Sequence, residues 1–153
     1  MDLTTIILVQ DSLARLRPER ETAVVLFCLR LSELDPHLPE FFSGEVAGHG
    51  RQFWSVIEQW VNDLATPQFT IPAVKTLGEF HGRQGIRPFH YHAFGQALLW
   101  TLAQLQGEAF TQAVADAWTE AFYLLVGLMK EAASCTPDAP TASHTPPRPP
   151  KET

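Results

Sequence analysis

The type and position of the His81 side chain would allow it to bind a metal. It follows Leu77 by four residues, near the end of a stretch that reads as a helix. A helical histidine can bind a metal through one ring nitrogen while its other N–H donates a hydrogen bond to the backbone carbonyl four residues earlier. Such a histidine, taken alone, is more often a structural residue. We expect the Leu77 carbonyl to hold one nitrogen of His81 and to aim the other outward.

A tight corner follows His81 in the sequence. Gly85 supplies a flexible backbone there. Pro88 suits the first turn of the next helix, because the N–H that proline lacks would be unpaired at that place. The spacing predicts that one helix ends near Arg83 and that the next begins at Pro88.

The residues around this corner match a pattern found in the F helix, FG corner and G helix of bacterial globins. The matching positions are Leu77, Gly78, His81, Gly85, Ile86, Arg87, Pro88, His90, Tyr91, Phe94, Gly95, Leu98, Leu99 and Thr101. Over residues 3–133 the chain resembles bacterial single-domain globins and the haem domain of flavohaemoglobins. The resemblance implies an all-α globin fold, a 3-on-3 helical sandwich, that binds haem b (iron protoporphyrin IX) with His81 as the proximal iron ligand.

The same resemblance implies a distal pocket. His49 precedes His81 by 32 positions, which is the family's separation between the distal residue and the proximal histidine. His49 is therefore expected to bind the iron or to donate a hydrogen bond to its ligand. A rival alignment puts Gln52 in this place, but it requires a gap before His81. The other haem-pocket residues implied by the match are Cys28, Phe42, Phe53, Ile86, Tyr91 and Phe94.

Two positions depart from the flavohaemoglobin pattern. Cys28 stands where the family has a tyrosine that donates to the bound ligand, and a thiol is a weaker donor. A free cysteine is usually an inert residue that fills space in the core. The alternative is that the Cys28 thiolate binds the iron. Ala133 stands where the family's last helix carries a glutamate of the proximal network, and Glu131 is only nearby. Both departures weaken the case for flavohaemoglobin-like dioxygenation of nitric oxide.

The function that the resemblance implies is binding of the diatomic gases O₂, NO and CO at the iron. The resemblance leaves open whether nitric oxide dioxygenation or nitrite reduction accompanies this binding, and so whether the protein is an enzyme. We expect that no flavin or nicotinamide module follows residue 153, so turnover would need an external electron donor or reductase. If His49 reaches the iron, the unliganded haem is bis-histidine hexacoordinate. The alternatives are a haem-based gas or redox sensor that signals to a partner, and a helical protein that has lost its haem.

The composition favours a cytoplasmic protein without nucleic-acid or membrane partners. A chain of 153 residues that is 45% hydrophobic can bury a sizeable core. The net charge of −6 argues against a nucleic-acid or anionic membrane surface. The longest apolar run, residues 121–129, is too short to cross a bilayer. Only 18% of the residues are charged, which is compatible with a homo-oligomer or another partner surface.

Apolar residues recur at helical spacing along most of the chain. The pattern predicts helices at residues 3–16, 18–34, 45–64, 71–83, 88–106 and 111–133. The segment that follows holds six of the twelve prolines and too few apolar residues to build a core. We therefore predict a globin domain at residues 1–133 and a disordered Pro-rich tail at residues 134–153.

Overall fold

Helices account for nearly all of the regular structure in the computed structural model, which describes residues 1–38 and 46–135. Their bounds are α1 Leu3–Leu16, α2 Arg20–Leu34, α3 Val46–Asn62, α4 Ile71–Arg83, α5 His90–Gln106 and α6 Gln112–Cys135. Short 3₁₀ turns lie at Arg17–Glu19, Pro67–Phe69 and Gly107–Ala109. This described part contains no strand, which confirms the all-α prediction. None of its helices combines the length and apolar character needed to cross a bilayer.

The helices pack around a shared core. The most extensive contacts join α4 to α6 and α2 to α5, and further contacts join α1 to α6 and α2 to α3. The largest side chains at the centre are Phe27, Trp54 and Trp118, each only 1% exposed. This is the 3-on-3 sandwich that the resemblance implied.

The predicted helix bounds lie within two residues of the observed ones, and the clearest difference is at Pro88. The prediction that Pro88 sits in the first turn of a helix was wrong, because α5 begins at His90. The preceding residues form a tighter turn, in which the N–H of His90 donates to the Arg87 carbonyl at 3.0 Å. The His90 ring stabilises this turn, since its Nδ1 accepts the Arg87 N–H at 2.8 Å.

Two glycines of α4 allow this helix to approach α6 closely. A Cβ atom on Gly78 would lie 2.6 Å from the backbone oxygen of Met129 and 2.7 Å from its Cα. One turn later, a Cβ on Gly82 would lie 3.2 Å from the Cβ of Ala133. His81 lies between the two glycines, so their contacts with α6 determine where this histidine stands.

Gly78→Ala should lower the free energy of unfolding by about 1–3 kcal/mol, because the new methyl group meets backbone atoms and the helices must separate. Gly127→Ala is the matched control. A Cβ there meets no atom within 4 Å, so this exposed helical site should gain about 0.5–1 kcal/mol from alanine's helix propensity. Urea unfolding monitored by circular dichroism measures both values. Equal stability of the two variants would contradict the close approach of α4 to α6.

Candidate functional site

A cavity that is partly open to solvent lies where α2, α3, α4 and α5 meet. The residues that line it are Phe27, Cys28, Leu31, His49, Gly50, Gln52, Phe53, Leu77, His81 and Phe94. Most of this lining is apolar or aromatic, and the polar groups are few, as is typical of a site for a flat organic cofactor.

The apolar wall is built from stacked aromatic rings on three helices. Phe27 of α2 stacks on Phe53 of α3 with ring centroids 4.5 Å apart and planes at 4°. Phe53 then stacks on Phe94 of α5 at 5.6 Å. Phe94 in turn stacks on His81 of α4 at 6.3 Å and 13°. The imidazole of His81 is therefore the polar end of a continuous aromatic row.

The His81 imidazole is held neutral inside this wall. Only 6% of the residue is exposed to solvent. Burial is the main cause that lowers the pKa of His81 to about 4, and His49, which lines the same cavity, adds to the effect. A neutral imidazole is the form that binds a metal, because the ligating nitrogen must carry a lone pair.

The second nitrogen of His81 has a side-chain partner. The Nδ1 atom of His81 lies 3.3 Å from the hydroxyl oxygen of Tyr91 on α5. The prediction of a hydrogen bond from this histidine to the Leu77 carbonyl was therefore wrong, because the rotation of the ring turns Nδ1 toward α5 and not along its own helix. Burial raises the pKa of Tyr91 to about 12, so the phenol stays protonated. This contact leaves Nε2 as the nitrogen of His81 that a metal would use.

Both distal candidates line the cavity. His49 and Gln52 are three residues apart on α3, a spacing that puts two side chains on the same helix face. The two alignments therefore differ only in which of two residues on the same helix face they place at the distal position. The His49 ring also stacks on the ring of Phe80, with centroids 6.4 Å apart and planes at 17°.

Cys28 of α2 lines the cavity opposite α4. Burial raises the pKa of its thiol, while the nearby Arg51 acts in the opposite direction. The side chain packs directly against Gly50, where a Cβ atom would collide with the Cys28 sulfur. A protonated thiol in close van der Waals contact is a weak donor and a space-filling group.

Five of the eight side chains singled out from the sequence line this cavity, and they are Cys28, His49, Phe53, His81 and Phe94. Tyr91 stands behind His81 and contacts its Nδ1. Ile86 is buried but is not part of the lining; its N–H donates to the carbonyl of His81 at 3.0 Å. Phe42 lies outside the described residues.

Sequence reasoning did not assign lining roles to four residues, Phe27, Leu31, Gly50 and Leu77. Helical spacing could have found three of them. Leu77 lies one turn before His81, and Phe27 and Leu31 lie one turn apart around Cys28. The contact of Gly50 with Cys28 depends on how α2 and α3 cross, which spacing does not reveal.

Comparisons with known proteins agree with this geometry. Residues 41–129 match the family model for globins. The chain is similar to a flavohemoprotein of Xylella fastidiosa strain Temecula1, with 26% identity over 130 residues that cover 83% of this chain and 32% of the relative. A flavohemoprotein of Vibrio cholerae is 31% identical over 102 residues, which cover 65% of this chain and 26% of the relative. A flavohemoprotein of Rhodopirellula baltica is 26% identical over 127 residues, or 81% of this chain and 31% of the relative.

The chain thus spans between about a quarter and a third of the length of these relatives. The family match includes His81, His49 and the corner between α4 and α5. Because this match covers more than half of the chain, the protein belongs to the globin family.

Proposed function

We propose that this protein is a haem b globin that binds O₂, NO and CO. The observation that carries the proposal is His81: a buried, neutral imidazole that lines an apolar cavity and has its Nδ1 atom beside the Tyr91 hydroxyl. This donor set fits haem, which needs one strong nitrogen ligand and flat aromatic walls. In this proposal the domain spans residues 1–133, as the sequence suggested, although α6 itself continues to Cys135.

On the proximal side, His81 would hold the iron of haem through Nε2. Nδ1 would then carry the proton and donate it in a hydrogen bond to the Tyr91 oxygen. Such a partner fixes the orientation of the imidazole and raises the basicity of the ligating nitrogen. Ala133 lies against Gly82, one residue from His81, so this position of α6 brings a methyl group and no carboxylate to the proximal side.

On the distal side, His49 would be the hydrogen-bond donor toward a diatomic ligand, and Gln52 is the alternative donor on the same helix face. Phe27, Leu31 and Phe53 would exclude water around that ligand, since their side chains form the apolar part of the lining. Cys28 would contribute volume and a weak donor. When His49 turns toward the iron, it would act as an internal sixth ligand, which gives the bis-histidine form.

Haem, when bound, supplies an iron atom whose sixth coordination position takes a diatomic gas. We propose that turnover with nitric oxide or nitrite, where it occurs, draws electrons from a donor outside the helical domain.

The first test concerns His81. His81→Ala should abolish most haem retention, because the proximal bond to the iron is lost. Haem stabilises the folded state by binding to it, so the melting temperature should also fall. Soret absorbance per protein and the spectra of the oxidised, reduced and CO-bound forms measure the result. His92→Ala, at an exposed site of α5, is the control that should retain haem. A His81→Ala variant with full haem content and an unchanged ferrous spectrum would refute the proximal assignment.

The second test separates the two distal candidates. His49→Leu should give a five-coordinate ferrous haem, faster CO binding and faster O₂ loss, because an internal ligand and a hydrogen-bond donor are both removed. An internal ligand lowers the apparent affinity for external ligands by the fraction of time that the site is open. Gln52→Leu should change these rates little. If Gln52→Leu alters them and His49→Leu does not, the alignment that favours His49 is wrong.

The third test concerns the hydroxyl of Tyr91. Tyr91→Phe removes the partner of His81 Nδ1 and leaves the ring in place, so haem should dissociate faster by about 10- to 100-fold. Transfer of haem to an excess of apomyoglobin measures this rate, and the iron–histidine vibration in the Raman spectrum should shift to lower frequency. The protein's other tyrosine supplies the control, since Tyr123 is 48% exposed and Tyr123→Phe should change neither value. Equal haem loss from both variants would exclude a proximal role for Tyr91.

A further inference from the structure

The corner between α4 and α5 is basic, although the protein as a whole is acidic. Residues 64–107 contain three Lys or Arg side chains, Lys75, Arg83 and Arg87, against one acidic side chain, Glu79. The whole chain carries a net charge of −6. Arg83 and Arg87 are exposed, and none of the ion pairs between described residues includes either of them. The corner therefore presents two positive charges to the solvent.

Phe89 adds an aromatic ring to the same corner. It follows Arg87 by two residues and is 70% exposed. Its ring packs against the ring of His90 with centroids 4.1 Å apart, and this contact restrains an otherwise exposed side chain. Arginine and aromatic side chains are enriched where proteins bind one another. We refer to Arg83, Arg87 and Phe89 as the corner surface.

The backbone that carries the corner surface is held by hydrogen bonds. The N–H of Ile86 donates to the His81 carbonyl at 3.0 Å, and the N–H of Arg87 donates to Nδ1 of His90 at 2.8 Å. A surface that is already ordered loses little conformational entropy when a partner binds. Both bonds join α4, the corner and α5, so a haem that enters between α3 and α4 would leave them in place.

The corner surface is also close to the proposed metal position. Ile86 is bonded to the His81 carbonyl and directly precedes Arg87. One hydrogen bond and one peptide link therefore connect the proposed proximal histidine to the exposed part of the corner. A protein docked on this surface would stand beside the element that holds the iron.

We infer that the corner surface is the docking site for an electron-donor protein with an acidic surface around its redox cofactor. The inference rests on the proposed function, because this donor would reduce the proposed haem iron. One electron would pass from the reduced cofactor of the donor to ferric iron, which becomes ferrous, and no bond forms or breaks. Opposite charges steer such partners together, and electron-transfer complexes have small interfaces, so a few residues can dominate the docking.

The experiment uses the full-length, haem-loaded protein, with flavodoxin, a small acidic electron-transfer protein, as the probe. Binding of oxidised flavodoxin is measured by calorimetric titration, and stopped-flow reduction by flavodoxin hydroquinone is followed under CO. At low salt, Arg83→Glu/Arg87→Glu should weaken binding and slow reduction by about tenfold or more. High salt should remove most of this difference, because it screens exposed charges. Phe89→Ala should weaken binding at both salt concentrations.

Matched variants separate the corner from the rest of the surface. Arg15→Glu/Arg17→Glu changes the net charge equally at exposed sites on α1 and in the turn after it, and should leave binding nearly unchanged. Phe69→Ala removes a ring that is 71% exposed and should also have little effect. If the two arginine pairs weaken binding equally, net charge alone is responsible and the inference is overturned.

Free reduced riboflavin, a small neutral donor, should reduce the parent protein and all variants at the same rate. A corner variant that is slowed as much with riboflavin as with flavodoxin would overturn the inference, because its effect would then be on the haem itself.

The carboxylates of haem are the alternative partner for the two arginines. If Arg83→Glu/Arg87→Glu fails to load haem, Arg83→Gln/Arg87→Gln carries the same comparison, and loss of haem from this variant as well would overturn the inference. A parent protein without a Soret band would refute the proposed function, and this inference with it. A parent with a normal Soret band that binds flavodoxin no better than the corner variants would refute the inference alone.

Discussion

An imidazole ring buried in an apolar cavity is stable only as the neutral form with its polar atoms satisfied, and this constraint governs the whole site. Protonating His81 inside the cavity would cost free energy, and for this reason its pKa falls to about 4. One of its nitrogens is satisfied by the Tyr91 hydroxyl. In the proposed haem site, the other nitrogen, Nε2, would bind the iron, because a neutral imidazole has a lone pair available for a metal.

The position of this imidazole depends on how closely helices approach α6. Gly78 and Gly82 bring α4 against the backbone and the alanine side chain of α6. Gly95 does the same for α5, since a Cβ there would lie 2.8 Å from the ring of Phe122. Because α4 carries His81 and α5 carries Tyr91, α6 serves as the platform on which both partners are brought together. The corner between them is short, and Gly85 turns it with a φ angle of 87°.

On the proposed distal side, several groups share one face of a single helix. His49, Gln52 and Phe53 all project from α3 into the cavity, so donors and apolar cover come from a single element. Phe80 adds a contact from the opposite helix. His81 has a buried hydrogen-bond partner in Tyr91, whereas the ring of His49 lies beside the aromatic ring of Phe80.

Most of the helices, the corner after α4 and the grouping of Cys28, His49, Phe53 and His81 in one pocket could be predicted from the sequence. These features depend on local spacing, on helix-ending residues and on a pattern of matched positions, all of which can be read along the chain. The start of α5 could not be predicted in this way, because the His90 ring caps a tighter turn at Pro88. The folded structure was needed to show that Tyr91, and not the Leu77 carbonyl, partners His81, and that the Phe80 ring lies beside His49. Both contacts join different helices, so they depend on helix crossing and ring rotation, which the packing of the whole core sets and no local pattern records.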